Sequence, residues 1–215
     1  MSRSLRSSRL CEVSLLLEGW LEEHIVRRLL QDFAPSLVPG AVYGRNGRDY
    51  VWRNLRKYNA AARYWPWIVL ADLETDECPP SLIDRFLPDP EPYLLLRIAV
   101  RSSESWLLGD SERFAELLRV PVTRVPTSPD EIGHPKAAVV ALARRSHSRI
   151  VQRALVPQEG YSATQGPQYM AYLASFVADR SRGWRPERAA EASPSLRAAI
   201  AALRLYAETV SAQFM

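Results

Sequence analysis

Cysteine, histidine and long apolar runs are all scarce in this chain of 215 residues, and each scarcity closes off a class of function. The two cysteines, Cys11 and Cys78, fit neither a disulfide framework nor a CxxC metal site. The three histidines, His24, His134 and His147, have no zinc-ligand spacing with one another or with the cysteines. Apolar runs such as Val13 to Leu17 and Tyr93 to Leu96 fall far short of the ~20 residues that a membrane helix needs, so no membrane partner is expected. The basic start of the chain is followed by no apolar segment of a secretory leader, and a soluble protein of the reducing cytoplasm is the expectation. No G-K-[ST] follows Gly44-Arg-Asn-Gly, which excludes a phosphate-binding P-loop. Internal repeats and low-complexity segments are also missing.

What is present is enough apolar character, 47% of residues, to bury a core without staples. The formal charge is +4, and nearly all of the 28 basic residues are arginine, Lys57 and Lys136 being the only lysines. Arginine binds phosphate through a planar fork, which favours a nucleic-acid partner, but a GC-rich coding genome produces the same bias and is the explanation placed first. The six tryptophans suit core packing better than base stacking.

The first 110 residues alternate apolar runs with amphipathic stretches, the pattern of βαβ units in a mostly parallel sheet. Cys11 to Leu17 reads as a strand stopping at Glu18-Gly19, and Leu21 to Phe33 repeats apolar residues at helical spacing. Pro39 and Gly40 punctuate the chain before a short strand at Ala41 to Tyr43. A glycine-rich loop then leads into a helix from about Asp49 to Tyr64. Loop and helix carry Arg45, Arg48, Arg53, Arg56 and Lys57, which offer contacts to a nucleic-acid backbone, a solvated basic turn being the other reading. Trp67 to Ala71 is the clearest buried strand, and a fourth strand is expected at Tyr93 to Val100. Beyond it the chain reads as mostly helical, with loops at Pro121 to Pro135 and Pro157 to Pro167 and a last helix from Ser193 to Ala212. The expected organisation is an α/β core over 1–110, with four strands flanked by helices, and a helical C-terminal extension over 111–215 packed on it.

In an open α/β sheet, ligands gather outside the C-terminal ends of the strands. Three such ends carry acid here: Glu18, Asp72 with Glu74, and Glu104 a few residues past the fourth strand. Hard divalent cations take oxygen ligands, and carboxylates drawn from separate strands suit one or two Mg²⁺ or Mn²⁺ ions that activate water and stabilise a leaving oxygen. Each acid also has a plainer reading, as an acid favoured by a helix dipole for Glu18 and Glu104 and as a simple strand-ending acid for Asp72. Asp76 and Glu77 read as loop surface.

Glu18-Gly19, Asp72-Leu-Glu74 and their spacing resemble a TOPRIM domain, the metal-binding α/β module of topoisomerases, primases and overcoming-lysogenization-defect nucleases. Glu22 matches the E-G-x-x-E form of those nucleases. The run Arg97-Ile-Ala-Val-Arg-Ser-Ser-Glu-Ser-Trp-Leu-Leu-Gly-Asp, with His134-Pro-Lys136 and Ser193-Pro-Ser-Leu, is similar to an uncharacterised bacterial TOPRIM-like family, domain of unknown function 4276, and that similarity spans most of the chain. The resemblance implies a Mg²⁺- or Mn²⁺-dependent nuclease or phosphodiesterase working beside an ATPase in phage-defence or mobile-element settings. It leaves the substrate (DNA, RNA or a small nucleotide) and the oligomeric state open. By residue, it implies that Glu18 is a general acid/base or metal ligand, that Glu22, Asp72 and Glu74 are ligands, and that Glu104 completes the site. Lys136 is then the candidate for neutralising transition-state charge, with a surface lysine as the plain alternative. The chain departs from the pattern at Glu74, where aspartate is expected, and at Ser102, where an acid is expected two residues before Glu104. These departures carry the alternative of a catalytically weak binding module acting through a partner ATPase.

Overall fold

The computed structural model describes residues 10–160 and 162–214, so the reading of the leader falls on residues 1–9, outside the described part. The elements follow as β1 (Cys11–Leu17), α1 (Trp20–Phe33), β2 (Leu37–Gly44), α2 (Arg48–Ala61), β3 (Trp67–Asp72), α3 (Pro79–Phe86) and β4 (Leu94–Ala99). Among the described residues seven α-helices follow: α4 (Ser103–Leu108), α5 (Ser111–Leu118), α6 (Pro135–Arg144), α7 (Arg149–Leu155), α8 (Tyr169–Ala178), α9 (Pro186–Ala192) and α10 (Pro194–Phe214). The architecture is α/β, with a four-stranded, all-parallel sheet of order β2-β1-β3-β4, flanked by helices and continued by a helical C-terminal half.

Alternation along the strands divides the core in two. Val13, Leu15 and Leu17 of β1, with Ile68 and Leu70 of β3, face the layer of α1, α4, α8 and α10. Leu16 of β1, with Trp67, Val69 and Ala71 of β3, faces α2 and α3. Because both faces are covered, β1 and β3 are continuous apolar runs, the sequence signature of a buried parallel strand. The larger cluster runs without a break from Cys11 to Val210, so the helical half shares its core with the sheet. Among the described residues no helix is long and apolar enough to cross a membrane.

The second strand is longer than its sequence suggests. Pro39 and Gly40 lie inside β2, and the register slips from Val13↔Pro39 to Leu15↔Val42, which leaves one extra residue on β2 as a bulge. β2 is an edge strand with half of its backbone N–H groups outside the ladder, so a proline there is tolerated.

From β1 the chain crosses to β2 over one face, and from β3 it crosses to β4 over the other. The connections therefore part between the C-terminal ends of β1 and β3, where α/β sheets open a crevice. Beside it, the loop after β2 is pinned to the end of β1: the Arg45 N–H donates to the Leu17 carbonyl at 2.8 Å and the Gly47 N–H to the Glu18 carbonyl at 3.0 Å. Gly44 makes this approach feasible, since it has φ +91° and a Cβ there would stand 2.1 Å from the Leu17 carbonyl oxygen. Gly47 also has a positive φ, of +78°, but nothing lies within 4 Å of its Cβ position. Gly44→Ala is expected to cost about 3 kcal/mol in urea unfolding, from strain and clash together, and Gly47→Ala only about 1 kcal/mol. Equal costs at the two positions would show that the pinned loop is not set by that contact.

Candidate active site

Leu17 of β1 pairs with Leu70 of β3, so the two strands deliver Glu18 and Asp72 to one edge. A carboxylate oxygen of Glu18 accepts the backbone N–H of Asp72 at 3.0 Å. Glu22 arrives from the first turn of α1, and Gly19 gives it room: a Cβ on Gly19 would lie 2.9 Å from Glu22 Oε2.

The helical half supplies the rest. At the start of α4, the Ser103 N–H and hydroxyl both donate to Asp72 Oδ1 at 2.9 Å. Lys136, in the first turn of α6, places Nζ 3.4 Å from Asp72 Oδ2. Glu104 accepts the Ser102 hydroxyl on one oxygen at 2.7 Å and the Tyr169 hydroxyl on the other at 3.2 Å. Asp72 and Glu104 are each only 1% exposed, and Glu22 and Glu18 are buried beside them.

Burying this much like charge has a predictable effect on protonation. Burial, reinforced by the charges of Glu22 and Glu74, pushes Glu18 up to about 7, against the opposing pull of the Asp72 N–H and of Lys136. Burial and the charges of Glu22, Glu104 and Glu18 push Asp72 well above the usual carboxylate range. Glu22 is raised by burial and by Glu104. Burial alone would depress Lys136, but Glu104, Asp72 and Glu22 outweigh it and hold the ammonium above its ordinary value. Four carboxylates around a single ammonium leave surplus negative charge that protons or an added cation must balance.

The donor set is all hard oxygen, which fits Mg²⁺ or Mn²⁺ in chemistry, and Glu18, Glu22, Asp72 and Glu104 are the residues that would hold such an ion. As the side chains stand, no three Asp, Glu, His or Cys groups among the described residues come close enough to share an ion. Ser102, Ser103, Tyr169 and Lys136 occupy oxygens of Asp72 and Glu104 instead.

Glu74 takes a different place from the other four acids. It has φ +52°, its side chain is exposed, and its carboxylate lies 3.6 Å from Arg48 Nε, at the rim. There it helps line a cleft of ≈ 340 Å³, whose other walls include Arg101, Ser102, His134, Lys136 and Gln165. The basic residues of the loop and α2 also separate. Arg45 is ion-paired with Glu23 and Arg48 with Asp76, whereas Arg53 and Lys57 are exposed on α2. Asp76 is more than loop surface, since it also accepts from Arg85 at 2.6 Å and so clamps the loop after β3.

Sequence reasoning missed Ser103 and Tyr169. Ser103 had a local signal, a hydroxyl at the start of a helix that follows a strand. Tyr169 had none, because it lies 65 residues from Glu104. The fold and the site define an α/β protein with a buried carboxylate cluster at the C-terminal edge of its sheet; no protein-family model, curated protein or solved structure matches the chain.

The raised carboxylates make stability depend on pH. A carboxyl whose pKa moves from 4.5 in the unfolded chain to about 7 when folded binds more protons in the folded state between those values. Folding stability in EDTA should therefore fall as pH rises from about 5 to about 8, and Lys136, raised above 10.5, contributes no slope in that window. Melting temperatures across this range check the sign, and Glu18→Gln should flatten the slope.

Proposed function

We propose that the chain is a Mg²⁺- or Mn²⁺-dependent nuclease of TOPRIM type that hydrolyses phosphodiester bonds in nucleic acid. The observation behind this reading is the gathering of Glu18, Glu22, Asp72 and Glu104 around Lys136 at the edge where β1 and β3 part. A divalent ion held by these carboxylates would polarise a phosphoryl oxygen and lower the pKa of water. Glu18, with a pKa near neutrality, is suited to take the proton of the attacking water as its oxygen bonds to phosphorus and the leaving oxygen departs. Lys136 faces the charge that builds on the phosphoryl group, and Ser102, Ser103 and Tyr169 hold Glu104 and Asp72 in orientation. The companion role, as the effector half of a pair with an ATPase in a phage-defence or mobile-element system, rests on the sequence resemblance.

A second reading is a binding module that keeps the shape and acts through its partner. It is favoured by the hydrogen bonds that already engage both oxygens of Asp72 and of Glu104. Metal titration and cleavage assays separate the two. Under the nuclease reading, Mn²⁺ raises the melting temperature, and Asp72→Asn removes that stabilisation and lowers cleavage at least about 10²-fold. Lys136→Ala lowers cleavage by about 10²-fold. Plasmid and single-stranded substrates left intact with Mg²⁺ or Mn²⁺, both alone and with a neighbouring ATPase, would exclude the nuclease.

A further inference from the structure

Trp20 opens α1 two residues after Glu18, and it is 56% exposed. The tryptophans at 52, 67, 106 and 184 are buried, and Trp65, before β3, is exposed but packs edge-on against Phe214. Trp20 has a different neighbour. The guanidinium of Arg45 lies over its ring, 4.0 Å from the centroid. Arg45 is held from two further sides, by its ion pair with Glu23 and by its backbone N–H on the Leu17 carbonyl. A single exposed aromatic residue on a protein surface is ordinary. An indole and guanidinium fixed against each other beside a buried carboxylate cluster form a flat, cationic surface, the type on which nucleobases stack.

Two further observations point to the same ligand. α2 begins directly after the pinned loop, and its Arg53, Arg56 and Lys57 are all exposed, at helical spacings that place them on one face. They form a positive track of the kind that follows a phosphate backbone. Asp72 and Glu104 are 1% exposed, and the neighbouring cleft holds ≈ 340 Å³, near the small end of the ~300–1,000 Å³ of ligand pockets. A cleft of this size takes a single nucleotide unit rather than a duplex, whose bases are already stacked and offer no free face to the indole.

We infer that Trp20 and Arg45 form a stacking platform for an unpaired base next to the scissile position, so that the substrate is single-stranded nucleic acid. This inference rests on the nucleic-acid reading of the carboxylate site.

The test is fluorescence anisotropy in EDTA, with a labelled single strand of about 12 nucleotides and a hairpin duplex of the same composition. The wild type should prefer the single strand. Trp20→Ala should weaken single-strand binding about 10-fold, with only a small fall in melting temperature because the half-exposed side chain loses little beyond its contact with Arg45, and leave the hairpin unaffected. Trp20→Phe, which keeps a ring, should restore most of the affinity and serves as the second variant. If the single strand binds wild type and Trp20→Ala equally, or if the hairpin binds wild type as well as the strand does, the platform is overturned while the nucleic-acid reading stands. If wild type binds neither strand nor hairpin, both fall. Binding as expected with no cleavage in Mn²⁺ would retain the platform for single-stranded nucleic acid and remove both the nuclease and the scissile position beside it.

Discussion

The backbone N–H of Asp72 donates to the Glu18 carboxylate, and the rest of the site is arranged around that contact. It joins the ends of the two central strands where their onward connections leave over opposite faces. At that point the sheet exposes backbone groups with no ladder partner, and a carboxylate is one acceptor that can satisfy them. Burial at this joint, with the charges of the neighbouring acids, raises the protonation of both Glu18 and Asp72, and the Asp72 N–H opposes the rise at Glu18. Surplus negative charge is costly when buried, so the fold tolerates it only with Lys136, the serine hydroxyls and Tyr169 turned toward it.

The site is a joint product of the sheet and the helical half. Glu18, Glu22 and Asp72 come from the first part of the chain, whereas Lys136 and Tyr169 come from helices well beyond residue 110. An uninterrupted apolar cluster from β1 to α10 holds those helices against the sheet. A change in the packing of α6 or α8 would therefore be felt at the carboxylates, through the lysine and the tyrosine that these helices carry.

Legibility in the sequence followed burial and locality. β1 and β3 were readable because central parallel strands are apolar on both faces, and the acid that ends each apolar run marks the C-terminal edge of the sheet. β2 was read too short because an edge strand permits a proline that elsewhere would end it. Ser102, which stands where the resemblance expects an acid, donates to Glu104, a contact that the sequence does not reveal. Glu74 sits at the rim because its left-handed backbone turns the chain away just after Asp72, and the D-x-E spacing alone does not reveal that turn. Arg45 and Arg48, which the sequence offers as backbone contacts or as a solvated basic turn, are both engaged by acids distant in sequence.

The sequence by itself determined the central strands β1 and β3, the helices α1, α2 and α10, and the placing of Glu18, Asp72 and Glu104 at or soon after strand ends. Each of these follows from local apolar periodicity and from residues adjacent in the chain. Only the tertiary structure decided the strand order, which acids are buried together, which lysine and tyrosine face them, and that Trp20 stands exposed under Arg45. Those outcomes depend on contacts between residues far apart in the chain, and such contacts leave no periodic trace in the sequence.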